Sequence, residues 1–248
     1  MKILGVIPSR YASTRFPGKP LVDILGQPMV WRVYEQAVKA KCFQKIIVAT
    51  DDQRIYKAIE EREGNVVMTS DSHKNGTERC VEAMVKAGED FDYVVNIQGD
   101  EPFIQPEPLG ELCELLDGEV HLATLVSKIT DQKSLINPGV MKVIFNNSQD
   151  AIYFSRQAIP FIRDSDKDHW HKAFTFYKHV CIYAYRSDIL PKVASLEMTP
   201  LEKAESLEQL RWIEHGYKIK AGITNYDSIS IDTPEDLERA LQGIINKT

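Results

Sequence analysis

Residues 3–20 read ILGVIPSRYASTRFPGKP, an apolar run that passes directly into a long loop. The run Ile3–Pro8 is short, continuous and apolar, which predicts a buried β-strand. The loop carries Arg10, Arg15 and Lys19 between small hydroxyl residues. Open α/β sheets bind ligands at the carboxyl ends of their strands, and cations with backbone N–H groups there can hold a triphosphate. The spacing of a Walker phosphate loop is missing, and a solvated basic loop explains these charges equally well.

Apolar runs alternate with helical patterns through the first hundred residues. Further strands are predicted at Lys45–Thr50, Asn65–Thr69 and Tyr93–Ile97, and helices at Pro28–Ala40, Gln53–Glu63 and Thr77–Ala87. Continuous apolar strands separated by helices indicate a parallel sheet covered on both faces. We therefore predict a doubly wound, mostly parallel α/β fold with three layers, α/β/α.

The second half of the chain has strands without long helices between all of them, which indicates an inserted mixed or antiparallel region. Strands are predicted at Leu122–Lys128, Val140–Phe145, Ile152–Ser155, Tyr177–Tyr185 and Tyr217–Ile223, helices at Leu201–His215 and Pro234–Ile245, and a charged loop at Asp164–Lys172. No low-complexity linker separates the halves, so we predict one domain over 1–248 that is divided at about 118.

The composition is that of an ordinary globular protein. Of 248 residues 43% are hydrophobic, and the net charge of -6 argues against a nucleic-acid partner. Cys42, Cys80, Cys113 and Cys181 follow no zinc or redox spacing, so we expect thiols in a reducing compartment. The apolar N-terminal run is too short for a signal peptide, and no stretch approaches the roughly 18 apolar residues of a membrane helix. We expect a soluble, cytoplasmic protein.

Two carboxylates are predicted at strand ends. Asp100 follows a buried strand in Gln98–Pro102, QGDEP, and Asp232 ends a short predicted strand in SIDTPEDL. An aspartate just past a strand can hold magnesium while it reaches bound phosphates. The alternatives are a Gly-Asp turn for Asp100 and a helix N-cap at Asp232 or Thr233.

Two further segments carry polar side chains in patterns that suggest a site. In DSHKNGTER, Gly76 suits a tight turn and Thr77 a helix cap, whereas Asn75 and Arg79 have no such structural explanation. In Tyr177–Tyr185 the side chains alternate between an apolar face and a face with polar tips. A half-exposed strand with aromatic cross-strand pairs accounts for that alternation as well as a ligand face does.

The order Arg-x-x-Ser-Thr-Arg-x-Pro-Gly-Lys-Pro-Leu in Arg10–Leu21 resembles the signature of sugar cytidylyltransferases, in particular those that activate 3-deoxy-D-manno-octulosonate (Kdo). The strings NGTER, QGDEP, YFSR at Tyr153–Arg156, HVCIY, LEQLR and DTPED resemble further motifs of the family in the same order. The resemblance spans about Ile3 to Leu237. It implies a fold like that of nucleotide-diphospho-sugar transferases, with a nucleotide-binding half at about 1–118 and a sugar-binding, dimerising region at about 119–223.

The resemblance also implies a role for particular residues. It assigns nucleotide binding to Ser9, Arg10, Arg15, Lys19, Asn75, Gly76, Arg79 and Asp100. It assigns sugar binding to Gln98, Arg156, His179, Tyr183, Glu208 and Gln209. It implies Mg²⁺ on Asp100 and Asp232, with catalysis by Lys19, Arg10 and Asp100. Cys181 stands where the family usually has glycine, which narrows the expected sugar pocket.

The implied reaction is CTP plus Kdo giving CMP-Kdo and pyrophosphate, for lipopolysaccharide biosynthesis, in a homodimer that binds neither nucleic acid nor membrane. Rival hypotheses within the family are a synthetase for a sialic acid or for an amino-substituted Kdo. A glycosyltransferase would carry an Asp-x-Asp motif, where this chain has Gly99-Asp-Glu. A non-catalytic nucleotide sensor would have lost a metal aspartate or the phosphate lysine, and Asp100, Asp232 and Lys19 are all present.

Overall fold

The structure, a computed structural model, describes residues 1–12, 16–227 and 230–245. The chain divides into two compact units, Met1–Gly110 with Ser228–Thr248, and Glu111–Asp227. The expectation of a single domain stays a prediction. Within the described residues, no helix has the length and apolar character needed to cross a bilayer.

The elements are numbered in chain order. The chain first forms β1 Ile3–Ser9, β2 Asp23–Ile24, β3 Gln27–Pro28, α1 Met29–Lys39, β4 Lys45–Thr50, α2 Gln53–Glu60, β5 Val66–Met68, α3 Gly76–Lys86, β6 Tyr93–Asn96 and α4 Pro106–Glu114. It continues with β7 Leu122–Lys128, α5 Gln132–Ile136, β8 Lys142–Phe145, β9 Ala151–Ser155, α6 Trp170–Ala173, β10 Tyr177–Arg186, α7 Leu190–Ala194, α8 Pro200–Glu205, α9 Gln209–Glu214, β11 Ile219–Thr224 and α10 Pro234–Ile245.

The first unit contains the predicted parallel sheet, with strand order β6-β1-β4-β5. All three strand pairs are parallel, and the register joins Ser9 to Thr50 and Val6 to Asn96. Strands β1, β4 and β6 are almost wholly buried because they are apolar on both faces, whereas the edge strand β5 is half-buried. Their carboxyl ends therefore meet at one edge, where the basic loop and the QGDEP turn begin.

The second unit contains the predicted mixed region. Strand β7 is parallel to β11 and antiparallel to β10, while β8 pairs antiparallel with both β10 and β9. A register shift between Val180 and Tyr183 interrupts the β10–β7 ladder. The predicted class, a mostly parallel α/β fold with an antiparallel part, is confirmed.

Several sequence predictions were wrong in detail. The helix predicted at Leu201–His215 is two helices, α8 and α9, because Ser206 adopts a left-handed backbone with φ 53°. The loop predicted at Asp164–Lys172 contains a 3-10 turn and the start of α6. Helix α4 was not predicted, since its two prolines and a glycine obscure a helical pattern. The described residues just before Asp232 are not a strand.

Candidate active site

The basic loop after β1 is closed at its base by backbone and ring contacts. The Gly18 N–H donates to the Tyr11 carbonyl at 3.0 Å. Gly18 has φ 74°, a left-handed conformation that favours glycine, and a Cβ there would lie 3.1 Å from the Tyr11 ring and would have to displace it. The Arg54 guanidinium carbon lies 3.2 Å from the Tyr11 ring centre, a cation–π contact. Arg15, which the sequence places in this loop, lies outside the described residues.

Lys19 brings together the two aspartates that were predicted at the metal. Its Nζ atom lies 2.8 Å from Asp100 Oδ2 and 3.2 Å from Asp232 Oδ1. The Ile231 N–H donates to the Asp100 carbonyl at 2.9 Å, which ties the two segments together through the backbone as well. The Lys19 side chain is 13% exposed and the two carboxylates are 29% and 37% exposed, so solvent screens these attractions in part. Two carboxylates remote in sequence therefore converge on one cation.

Close packing fixes Asp100 at the end of β1. A Cβ on Gly99 would lie 3.0 Å from both the Pro8 carbonyl oxygen and Ser9 Oγ. Any larger residue would push the turn away from the strand. The required glycine thus places the neighbouring Asp100 directly beside the basic loop.

The start of α10 leaves the Asp232 side chain available to Lys19. Asp236 Oδ2 accepts the N–H of Asp232 at 3.1 Å and that of Thr233 at 2.9 Å. Thr233 Oγ1 accepts the Asp236 N–H at 3.2 Å, which completes a reciprocal helix cap. Thr233 is the capping side chain, so capping does not account for the Asp232 carboxylate.

The NGTER segment differs from its sequence prediction. Asn75 Oδ1 accepts the Glu78 N–H at 2.8 Å, so Asn75 and not Thr77 caps α3. Gly76 is the first residue of α3, where a Cβ would lie 3.2 Å from Asn96 Nδ2. The side chain of Asn75 thus has a structural task that the sequence did not reveal, and its contact with nucleotide stays a prediction.

Arg79 is fully buried, although it was predicted to contact nucleotide. It donates to Asp51 Oδ2 at 2.8 Å and to Thr69 Oγ1. Asp51 follows β4 and Thr69 follows β5, so the guanidinium lies at the carboxyl edge of the sheet. Burial, and then the charge of Arg79, lower the pKa of Arg10. Two cations side by side at this edge favour an anionic ligand.

Five buried polar atoms of the first unit have no hydrogen-bond partner among the described residues. They are Ser9 Oγ, Arg32 Nε, Arg79 Nε, Asn96 Oδ1 and Glu101 Oε2. Burial, helped by the charge of Asp100, raises the pKa of Glu101 to about 8. Native proteins rarely leave buried polar atoms unpaired, so such a group indicates where a ligand or solvent binds. Neither Asn96 nor Glu101 was predicted as a site residue. The available signal for Asn96 was a polar residue at the end of an apolar strand, and for Glu101 it was the position next to Asp100.

The carboxylate pair fits a magnesium ion better than it fits zinc or calcium. The described residues contain no group of three or more His, Cys, Asp or Glu side chains arranged to hold a metal. Magnesium is usually held by one or two carboxylates together with substrate phosphates. Asp100 and Asp232, which already share one cation, meet that requirement beside the basic loop.

His179 of the second unit is a neutral imidazole of fixed orientation. The Thr124 hydroxyl donates to the Ile182 carbonyl at 2.6 Å, so its oxygen accepts a hydrogen bond from the N–H at His179 Nε2, 2.9 Å away. That tautomer makes Nδ1 an acceptor, and Nδ1 lies 3.7 Å from Cys181 Sγ. Burial lowers the pKa of His179 to about 3, so the ring is uncharged at neutral pH.

Tyr183 lies beside His179, but the face that they share is covered. Its ring centre is 4.9 Å from that of His179 and 5.0 Å from that of Trp212, which it meets edge-on. Tyr185 packs against the same indole at 5.5 Å. Burial raises the pKa of Tyr183 well above its ordinary value. This face of β10 is mostly buried against Trp212 of α9, so the alternative of a half-exposed strand does not describe it, and sugar binding by His179 and Tyr183 stays a prediction.

Three hydrogen-bond donors gather where α9 covers β10. The Tyr183 hydroxyl, Gln209 Nε2 and Trp212 Nε1 are buried and have no hydrogen-bond partner among the described residues. Gln209 and Trp212 are three residues apart on α9 and so share a face. Gln209 is 5% exposed, so it does not lie on a solvated face of the helix. Trp212 was not predicted as a site residue. Its position one helical turn after Gln209 was the sequence signal that could have identified it. Glu208, which precedes α9, is half-buried.

The Arg156 guanidinium donates hydrogen bonds to backbone carbonyl oxygens. Its Nε lies 2.6 Å from the Glu205 carbonyl oxygen, its Nη1 lies 3.0 Å from that of Pro138, and its Nη2 lies 3.3 Å from that of Ser206. The predicted contact with a sugar carboxylate therefore competes with three structural contacts. Gln98, also predicted on the sugar, is half-buried in the turn after β6 of the first unit.

A parallel sheet with a basic loop after its first strand and paired carboxylates at the same edge defines a nucleotidyltransferase-type α/β protein. The chain matches the cytidylyltransferase family over residues 4–219, and it belongs to that family. The family resemblance found in the sequence is confirmed.

The relatives are similar over their whole length. The chain is 51% identical to the 3-deoxy-manno-octulosonate cytidylyltransferase of Parabacteroides distasonis, and the match covers 100% of each protein. It is 50% identical, with the same coverage, to the protein of that name from Bacteroides thetaiotaomicron. A solved structure of CMP:2-keto-3-deoxy-manno-octonic acid synthetase complexed with CTP superposes with a TM-score of 0.91 at 38% identity and covers 100% of both chains.

Proposed function

We propose that this protein transfers CMP from CTP to Kdo and releases pyrophosphate, forming CMP-Kdo for lipopolysaccharide biosynthesis. The observation that carries the proposal is the convergence of Asp100 and Asp232 on Lys19 Nζ beside the basic loop. The names of the full-length relatives supply the substrate.

In the proposed reaction, the anomeric hydroxyl oxygen of the sugar attacks the α-phosphorus of CTP. A new P–O bond forms as the bond to pyrophosphate breaks, and the hydroxyl proton passes to solvent. Phosphoryl transfers of this kind need positioning and charge neutralisation more than covalent help. Lys19 and Arg10 would offset the negative charge that develops on the phosphates.

Asp100 and Asp232 would hold Mg²⁺, whose charge would help to neutralise the triphosphate. In the structure both carboxylates already accept from a single ammonium, which is the arrangement that a cation between them requires. Ser9 Oγ and Asn96 Oδ1, both buried and unpaired, are suitable contacts for the nucleotide.

The second unit supplies donors for a polyhydroxylated acid. The Tyr183 hydroxyl, Gln209 Nε2 and Trp212 Nε1 each lack an acceptor among the described residues. Hydroxyl and carboxylate oxygens of Kdo would provide acceptors. A protonated amine cannot accept a hydrogen bond, so this set favours Kdo over an amino-substituted Kdo.

Pyrophosphate release tests the proposal directly. The protein is mixed with CTP and Mg²⁺ and with Kdo, an amino-substituted Kdo or a sialic acid in parallel. We expect release with Kdo and a much smaller rate with the other two sugars. The Asp100→Asn variant serves as the control for chemistry at this site. Release only with sialic acid, or with none of the sugars, would contradict the proposal.

We also propose a cytoplasmic location and a homodimer, as the family resemblance implies. Light scattering coupled to gel filtration measures the dimer directly, because a dimer has twice the chain mass of 28.2 kDa.

A further inference from the structure

Lys142 is the first residue of β8 and is fully buried. Its Nζ atom donates to three backbone carbonyls, those of Asn137 at 2.9 Å, Val140 at 2.6 Å and Arg156 at 2.5 Å. These three bonds use all the protons of the ammonium group. A buried lysine costs desolvation free energy that an apolar side chain of similar volume avoids. The three bonds therefore indicate that Lys142 has a role beyond the residue roles described so far.

The carbonyls held by Lys142 belong to segments that also contact Arg156. Asn137 and Val140 flank the turn whose Pro138 carbonyl accepts from Arg156 Nη1 at 3.0 Å. The third carbonyl is that of Arg156 itself. The lysine thus fixes both the backbone that carries Arg156 and the turn on which its guanidinium rests.

Arg156 also contacts the break between α8 and α9, which lies at Ser206. Its Nε and Nη2 donate to the carbonyls of Glu205 and Ser206. The Glu205 carboxylate in turn accepts from the Arg156 N–H at 2.9 Å and from Ser155 Oγ at 2.7 Å. Three of these four hydrogen bonds come from Arg156, so they depend on where its backbone lies.

The break decides where α9 begins. Ser206 has φ 53°, a left-handed conformation that a non-glycine residue keeps only when its surroundings enforce it. Glu208 and Gln209 follow it within three residues, and Gln209 is the first residue of α9. A small change at Ser206 would rotate α9 and move Gln209 and Trp212 relative to β10.

We propose that Lys142 is a positioning residue for sugar binding, which acts through the Arg156 backbone and the Ser206 break to orient Glu208 and Gln209. The inference rests on the proposed function for its substrate. The chain of contacts lies entirely within the second unit. Lys142 itself touches neither substrate.

Two variants of Lys142 test the proposal. Lys142→Met keeps the length of the side chain and removes all donors, whereas Lys142→Gln keeps an amide with two. We expect the KM for Kdo to rise about tenfold or more in Lys142→Met and less in Lys142→Gln, with the KM for CTP within twofold of wild type. Lys45→Met is the matched control, because Lys45 Nζ also donates to a carbonyl, that of Ala87, but in the first unit. Its KM for Kdo should not change.

Hydrogen exchange gives a readout that does not need the substrate. The amides of Leu207 and Leu210, which donate to the carbonyls of Glu202 and Leu207, should exchange faster in Lys142→Met than in wild type. Unchanged exchange there, or an unchanged KM for Kdo in a folded variant, overturns the proposal. If neither variant folds, Lys142 serves global stability and the proposal is wrong. A wild-type protein without turnover would count against the proposed function alone, since the exchange experiment still tests the positioning.

Discussion

At the residue scale, the site depends on charges held in partly buried surroundings. Lys19 Nζ forms ion pairs with two carboxylates in the first unit. Arg79 lies close enough to Arg10 for its charge to lower the pKa of Arg10. The motifs of the sequence named these residues. They could not reveal the distances between them, because those distances depend on close packing such as that of Gly99 against β1.

Replacing Asp100 by asparagine tests the carboxylate pair. The change keeps the shape of the side chain and removes its charge, so we expect turnover to fall by about a hundredfold or more. The ion pair with Lys19 is partly exposed, and its loss should lower the free energy of unfolding by no more than about 1 kcal/mol. Pyrophosphate release and urea unfolding measure the two effects. Asp188→Asn, which removes the same charge from an exposed pair with Arg186, should keep full activity. Full activity in Asp100→Asn would remove this residue from the reaction.

The buried His179 predicts a particular dependence of stability on pH. Its folded-state pKa of about 3 lies below the unfolded value of about 6.5. Between these values the unfolded chain binds a proton that the folded chain does not, so stability falls as the pH falls through that window. We expect urea unfolding of wild type to lose about 1.4 kcal/mol per pH unit more than His179→Gln between pH 6 and pH 4.5. Glutamine can still donate to Thr124 but does not titrate. Parallel pH profiles for the two proteins would contradict the burial of a neutral imidazole.

At the scale of elements, the sequence predicted the parallel strands almost to the residue. Lys45–Thr50 and Leu122–Lys128 agree with the structure at both ends, because uninterrupted apolar runs with clear polar borders allow few alternatives. The single helix predicted over Leu201–His215 failed, because no glycine or proline marks its break. The Ser206 carbonyl accepts from Arg156, which is remote in sequence and follows β9, and such a contact cannot be read from the local sequence pattern.

Glycine at position 206 should relieve the strain in that break. A left-handed backbone costs a residue with a Cβ about 1 kcal/mol more than it costs glycine. We therefore expect Ser206→Gly to raise the free energy of unfolding by up to about 1 kcal/mol, since the added freedom of the unfolded chain offsets part of the gain. Ser206→Val should lower it, because a β-branched side chain tolerates this conformation poorly. Chemical unfolding of both variants measures the difference. A loss of stability in the glycine variant would show that the serine side chain matters more than its backbone.

At the scale of the whole molecule, the proposed substrate contacts divide between the two units. Lys19, Asp100 and Asp232 belong to the first, while His179 and Gln209 belong to the second. Each unit keeps buried polar atoms that have no partner among the described residues. Each such atom lowers the stability of the folded protein by about 1–3 kcal/mol until something pairs with it. We interpret the unpaired atoms of each unit as contacts for a ligand of that unit.

Gln209→Met separates stability from function in one variant. Methionine has nearly the volume of glutamine and removes the unpaired buried amide, so the free energy of unfolding should rise by about 1 kcal/mol. The same change removes a donor proposed for the sugar, so the KM for Kdo should rise about tenfold or more while the affinity for CTP in calorimetry stays the same. Asp232→Asn is the matched variant of the first unit, and it should weaken CTP binding in the presence of Mg²⁺. If Gln209→Met instead weakened CTP binding, or left the KM for Kdo unchanged, the division of substrates between the units would be wrong.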